Sequence, residues 1–570
     1  MAGNGRRNIQ GILFLLTVIF AIIGTSITSE AVIAPASYVI YKSGTTYYAQ
    51  NGQTGVNDYS GTVAVTVIQS ALNNLTAGRT WKEKVVLKGG DYIFSSTSLD
   101  IPSYTVLDMS QAKISGFTVP AISVTGTKND IEISGGILIS GGVPTSVGFI
   151  ATQAQVTYLS IHDIYMEGNC FNPWPTSSNP VKDDFGILLS GGAKNLDVYN
   201  IKAKNIGNIV YVSGGGANWV SENWEIRNIK GEEINGAVYI RSQCKLVRNV
   251  VVSDVFVNKW WDGLVEVTAM NGGSSQVTGE INGVAISNIE GYNGAGDCGG
   301  VALISENTVD TYATVHGITV NNVTVETDRA TYPTANGLAF MARCSGAGNN
   351  DIYDFTVNGL YARDVKTGIV ISTVLLSHGR GIISNAVFDN VYETGISTAN
   401  VPSAPHGPLV YKNILIKLNS AATRGILNTA NLQNLEGIVY DKVTVTQANS
   451  AQYIIQDSPS GGNNIQYEVY YLGYVWGRFS LNSTVTPWKG RGGENTGTAT
   501  FSGDGTTIAF TFGHGLTSQP TVVDIGKKHA DIRALGWTWV GDGANITITF
   551  ESAPPSGTNN VVFSWETHRN

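Results

Sequence analysis

Two interleaved repeats run through the middle of this 570-residue chain and constrain its fold more than any other feature. In the first, an aliphatic residue, usually just behind Asn or Asp, recurs at Ile164, Ile201, Ile229, Val255, Ile289, Val323, Leu360, Val387, Ile414 and Val443, at intervals of 26 to 37 residues. In the second, a Gly followed by an aliphatic residue or Ala recurs at Gly186, Gly236, Gly263, Gly300, Gly337, Gly368, Gly395 and Gly425, with Asn208-Ile209 filling the gap after Gly186. Short β-branched runs such as Ile318-Thr-Val-Asn-Asn-Val-Thr-Val325 lie between these marks, and no segment there keeps a long helical period. That pattern predicts a solenoid whose coils each supply two or three short strands. A parallel β-helix is the first reading. Stacked coils set equivalent positions about 4.8 Å apart, so Ile201, Ile229, Val255, Ile289 and Val323 should form one inward column.

Composition narrows the class further. Sixty-seven glycines and only 14% charged residues suit an extracellular β-rich protein with many tight turns. The net charge is −8 and no long Lys/Arg run follows Arg6-Arg7, which argues against a nucleic-acid partner. Cys170, Cys244, Cys298 and Cys344 lack metal-ligand spacing. Cys298 and Cys344 fall on adjacent coils, where either a disulfide or buried free thiols fit.

The first 35 residues read as a signal peptide or a membrane anchor. Arg6-Arg7 precede the apolar stretch Ile12 to Ile23, and Ser29-Glu-Ala31 offers a small-x-small cleavage site. Any membrane contact would run through this segment alone. Apolar residues at Ala64, Ile68, Ala71, Leu72 and Leu75 then share one face of a short helix. Such a helix can close the open end of a β-helix, where core and unpaired strands would otherwise meet water.

From here the chain resembles a known family. Tyr47-Tyr-Ala49, the helix with Val67-Ile-Gln-Ser-Ala71, Val85-Val-Leu-Lys-Gly-Gly90, Ile93-Phe-Ser-Ser-Thr97 and Ile101-Pro-Ser103, followed by the Asn-Ile and Gly-Ile coils, are similar to the pectate-lyase-like right-handed parallel β-helix superfamily over residues 45 to 470. The resemblance implies the right-handed sense of the helix. It is specific for fold and not for activity, because lyases, hydrolases, viral tail spikes and inert surface proteins share that architecture.

The expected organisation is therefore all-β: a β-helix over 36–479 with its capping helix, a turn-rich linker over 480–496, and a small β-sandwich over 497–570. Five or six strand-like runs, from Gly497-Thr-Ala-Thr-Phe501 to Asn560-Val-Val-Phe-Ser-Trp565, support the last part. Phe512-Gly-His-Gly-Leu516 and Ala553-Pro-Pro-Ser-Gly557 resemble a terminal domain of viral and phage fibre proteins, which implies attachment or oligomerisation, a homotrimer included.

Candidate chemistry sits where each first-repeat strand turns toward the second. Those corners carry Trp174, Asp183 and Asp184, then Glu232 and Glu233, then Trp260, Trp261 and Asp262. A polysaccharide site needs this mixture: aromatic faces for sugar rings, and paired carboxyls as acid and base or nucleophile. The five acids are the catalytic candidates; the three tryptophans and Arg241 are the substrate-binding candidates. The competing reading is that Asp and Asn at β-helix corners only bond turn backbone.

Motifs of enzymes sharing the fold are absent. Lys182-Asp-Asp184 and Ser377-His-Gly-Arg380 lie too far apart for a polygalacturonase pattern, no Arg-Ile-Lys occurs, and pectate-lyase calcium acids are not recognisable. No cofactor is indicated; Ca2+ stays open without a motif. A second candidate surface is the strand after each Gly. Glu266 does not belong in a core, which places Val265 and Val267 inside and Tyr211, Tyr239, Glu266, Leu303 and Phe340 in an outward row. That row is either an exposed glycan platform or is covered by a loop. Two functions remain: a glycan-processing lyase or hydrolase, and a non-catalytic adhesin or virion-fibre protein using the solenoid as a stalk. The reading adopted is glycan recognition at the cell surface or in the extracellular space, with catalysis open.

Overall fold

The computed structural model describes residues 36–568 except 142–147, 171–183, 215–218, 243, 271–278, 296–297, 308–311, 329–330, 332–336, 347–348, 374–377, 400–408, 430–437, 450, 458–464, 473–477, 481–493 and 515–518. The N-terminal apolar segment lies outside these residues. Among the described residues no helix is long and apolar enough to cross a membrane.

The chain forms a parallel β-helix. One 32-stranded sheet runs from Tyr38–Ser43 to Arg478–Ser480, and from Glu83–Leu87 onward its strands pair in parallel, coil on coil. An antiparallel meander opens the stack: Tyr38–Ser43 pairs with Thr46–Asn51, which pairs with Asn57–Gly61. Helix Ala64–Asn73 follows and buries Ala64, Val65, Val67, Ile68, Ala71 and Leu72 against the first strands.

The first repeat is an inward column, as its spacing predicts. Ile164, Ile201, Ile229, Val255, Ile289, Val323 and Leu360 pair in consecutive coils and all lie in one core. The preceding residue explains the Asn and Asp preference. Asp163, Asn200, Asn228, Asp254, Asn288 and Asn322 all have φ between 52° and 59°, the left-handed corner that Asn and Asp tolerate best. Their side chains then bond along the axis: Asn200 Nδ2 donates to Asp163 Oδ1 at 2.8 Å and Asn228 Nδ2 to Asn200 Oδ1 at 2.5 Å. One member is corrected. Ala386, not Val387, pairs with Leu360 and Ile414 and is buried, so Val387 turns outward by the two-residue period of the strand.

The second repeat mixes two adjacent columns. Gly186, Ile209, Ala237, Leu264, Gly300, Ala339, Gly368, Gly395 and Gly425 fall in one column by register, whereas Gly236 and Gly263 occupy the position one residue earlier and Gly337 precedes its strand. A Cβ on Gly368 would stand 2.6 Å from the Gly395 carbonyl oxygen, which is why some coils need glycine there.

Beyond the β-helix, two three-stranded antiparallel sheets form a small sandwich. Glu494–Gly503, Val522–Lys527 and Gly557–His568 make one; Ala509–Gly513, Trp537–Gly541 and Asn545–Phe550 make the other. Phe510, Ile546, Ile548 and Phe550 from one sheet pack with Val561 and Phe563 from the other in a core of their own. None of the four cysteines is in a disulfide, so Cys298 and Cys344 are not bridged to each other in this structure.

Candidate functional site

The outer face of the strands following each Gly carries the densest chemistry. Strands Asn208–Ser213, Val220–Ser242 and Leu246–Met270 run side by side there, with Tyr211, Tyr239 and Glu266 in register and Arg241 beside Thr268. Alternation turns Val265 and Val267 into the core and Glu266 away from it, as expected. The remainder of the expected row is corrected: Leu303 pairs with Val267 and Phe340 with Val301, so both are core residues, and Ala302 and Met341 continue the outward row. That row is not an open platform. Ala302, Ile304, Leu338 and Met341 are buried in a second apolar cluster on this outer side, with Cys298 and Val370 packed against it.

Glu266 stands at the edge of this covered patch and is 4% exposed. Thr268 Oγ1 donates to its Oε1 at 2.6 Å, and an Arg241 Nη2 lies 3.7 Å from the same oxygen. Burial pushes its carboxyl up to about 7, opposed by Arg241 and the Thr268 hydrogen bond and reinforced by Asp262. Asp262 lies four residues earlier, across the corner, and is part-exposed. It accepts a 2.8 Å hydrogen bond from the Tyr239 hydroxyl. Burial, then Asp262, holds that phenol well above its ordinary value, so Tyr239 is a fixed donor. One oxygen of Asp262, one of Glu266 and the Cys298 Sγ lie within 4.8 Å of one another. Burial first, then the two acids, also raises the Cys298 thiol.

Arg241 completes the arrangement. Its guanidinium lies 5.5 Å from the Tyr211 ring centre, and its Nη1 donates to the Tyr211 hydroxyl at 3.1 Å. Its buried Nε has no hydrogen-bond partner among the described residues. Tyr211 and Tyr239 stack along the axis at 6.3 Å, and Phe185 adds a ring 4.8 Å from Tyr211. The group thus joins two neighbouring carboxyls, one of them buried, to a fixed cation and a short aromatic stack.

Of the residues singled out in the sequence, Asp262 and Arg241 belong to this group. Glu232 and Glu233 stand apart from it on a ladder of corners. Asn205, Glu233, Lys259 and Asn293 are equivalent left-handed positions, and Lys259 Nζ lies 2.9 Å from Glu233 Oε1, an ion pair where other coils bond through asparagine. Glu232 is exposed, 3.9 Å from Lys204 Nζ. Asp184 is buried, and its carbonyl oxygen accepts from the Asn208 backbone N–H. Trp174 and Asp183 lie outside the described residues.

The tryptophan expectation needs correction. Trp260 is fully buried and Trp261 is 8% exposed, so neither offers a broad face to a sugar. Trp260 fills space left by glycines of the next coil, since a Cβ on Gly294 would stand 2.1 Å from its ring. Glu266 was legible as an outward acid but not as the partner of Asp262. The available signal was its place in the coil after Arg241, four residues behind Asp262.

No family model matches this sequence, and no curated protein matches it. Solved structures with a similar chain course include a tailspike variant of E. coli bacteriophage HK620 in complex with a pentasaccharide, at 12% identity, a TM-score of 0.48, and 89% of this chain and 90% of that one covered. The HK620 tailspike in complex with pentasaccharide overlaps at 9% identity and a TM-score of 0.47, covering 89% of both chains. The tailspike gp61 of Pseudomonas phage phi297 overlaps at 10% identity and a TM-score of 0.36, with 88% of this chain and 92% of that one covered.

Proposed function

We propose that this protein recognises and hydrolyses polysaccharide, working at a cell surface or in the extracellular space, on the outer face around Glu266 and Asp262. The observation carrying this reading is a carboxyl that burial holds protonated to about pH 7 beside a part-exposed second carboxyl within 4.8 Å. Glycosidases need two carboxyls in unlike environments, one to give a proton and one to receive charge. Glu266 donates its proton to the glycosidic oxygen as the bond to the leaving sugar breaks. Asp262, oriented by the Tyr239 hydroxyl, adds to the anomeric carbon, and water releases the sugar with Glu266 taking the proton back.

The separation supports this retaining course, for which the two carboxyls stand about 5 Å apart; inversion uses about 6.5–9.5 Å to seat a water between them. Arg241 is pinned on Tyr211 and can hold sugar hydroxyls or ring substituents beside the reacting bond.

The full-length chain is incubated with a polysaccharide panel while new reducing ends and unsaturated products are followed separately. Reducing ends without unsaturation are expected, with Glu266→Gln and Asp262→Asn each lowering kcat by roughly 10²–10⁴-fold, and with activity falling above pH about 7 as Glu266 ionises. Unsaturated ends would point to a lyase. Binding without cleavage would leave recognition alone, and cleavage indifferent to both substitutions would remove this face from the chemistry.

A further inference from the structure

A second concave surface lies on another face of the same 32-stranded sheet, mostly in earlier coils. Lys113, Ile137, Tyr165, Lys202 and Lys230 pair in consecutive coils and form one outward column. With the asparagine ladder at Asn200 beside it, the column lines a groove of about 710 Å³, within the range of ligand sites. Lys113 is bound to Asp91 at 2.8 Å. Asp163, the acid in the lining, is engaged by His162 at 2.7 Å and by Asn200 at 2.8 Å. Lys202 and Lys230 are both exposed and have no acid within ion-pair distance among the described residues, although Lys204, Lys194 and Lys259 nearby do.

We infer that this groove binds a linear glycan bearing anionic groups, lying along the β-helix axis with its charges on Lys202 and Lys230. Three features select that occupant. Two unneutralised cations one coil apart, about 4.8 Å, match charges repeated along an extended sugar chain. Ile137, 40% exposed, and Tyr165 supply the apolar floor a sugar ring needs. The side-chain amides of Asn200 and Asn228 edge the groove with donors and acceptors for hydroxyls. A second copy of this chain is the weaker occupant. The adjoining acidic groove, with Asp130, Asp197 and Glu225, is already neutralised from within by Lys82, 3.1 Å from Asp130, and by Arg227, 2.7 Å from Glu225. The groove is independent of the Glu266 site and stands whether or not that site is catalytic.

Binding of an oligogalacturonate, a sulfated dextran fragment and neutral maltohexaose to the full-length chain tests this by calorimetry at low and moderate salt. At least one anionic oligosaccharide should bind, more weakly as salt rises, and the neutral one should not. Lys202→Ala/Lys230→Ala should lower that affinity by about tenfold or more, Lys202→Arg/Lys230→Arg should keep it, and Lys412→Ala, a surface lysine of later coils that pairs with Asp441 at 3.4 Å, should leave it unchanged. The tighter of the two anionic ligands names the charged group. No binding of either, affinity indifferent to the double Ala variant, equal binding of a single-stranded DNA oligomer, or self-association abolished by the same double variant would overturn the inference.

Discussion

Glu266 couples the proposed chemistry to stability. Its carboxyl is raised from 4.5 to about 7 when folded, so between those values the native state holds a proton that the unfolded chain has lost. Stability therefore falls as pH rises through that window and levels off above it. That loss is on the order of 3 kcal/mol. Glu266→Gln keeps the shape without the ionisation, so urea unfolding should find the variant close to the native protein near pH 4 and more stable than it near pH 8. A constant difference across that range would show that Glu266 does not titrate as its burial implies.

At the scale of elements, the corners hold the stack together. Many corners turn at left-handed Asn or Asp positions whose side chains bond to the same position one coil away, and Asn228 is one of them, with φ 52° and its Nδ2 on Asn200 Oδ1. A β-branched residue there meets the steric cost of that conformation, about 1–2 kcal/mol, and also loses a hydrogen bond worth about 1 kcal/mol. Asn228→Val should therefore lower the unfolding midpoint clearly more than Asn228→Gly, which loses the bond without the strain. Equal midpoints would show that the ladder, not the backbone conformation, dominates.

For the whole molecule, the two sheets from Glu494 onward share no strand pairing with the β-helix among the described residues and carry their own core around Phe510, Ile548, Phe550 and Phe563. A fragment spanning 494–570 is expected to fold alone and melt cooperatively, as a unit with its own core does. A broad, non-cooperative melt of that fragment would tie the sandwich to the β-helix for its stability.

By itself the sequence determined the solenoid, the inward aliphatic column and the capping helix. These follow from local rules: one face must be apolar, the corner before it must accept positive φ, and the same demand returns in every coil. It determined the outward direction of Glu266 for the same reason, since a strand alternates and Val265 and Val267 claimed the core. Register between coils was decided only in the tertiary structure. Corner lengths vary, and a slip of one residue sends a side chain to the other face, which is how Val387, Leu303 and Phe340 were misplaced and how Gly236 and Gly337 joined the wrong column. The same inter-coil register set Glu266 beside Arg241 and Asp262 while giving Glu233 to Lys259 and burying Trp260 against Gly294. Such groupings depend on which coil lies next to which and on what covers the outer face, and neither is written in any one stretch of chain.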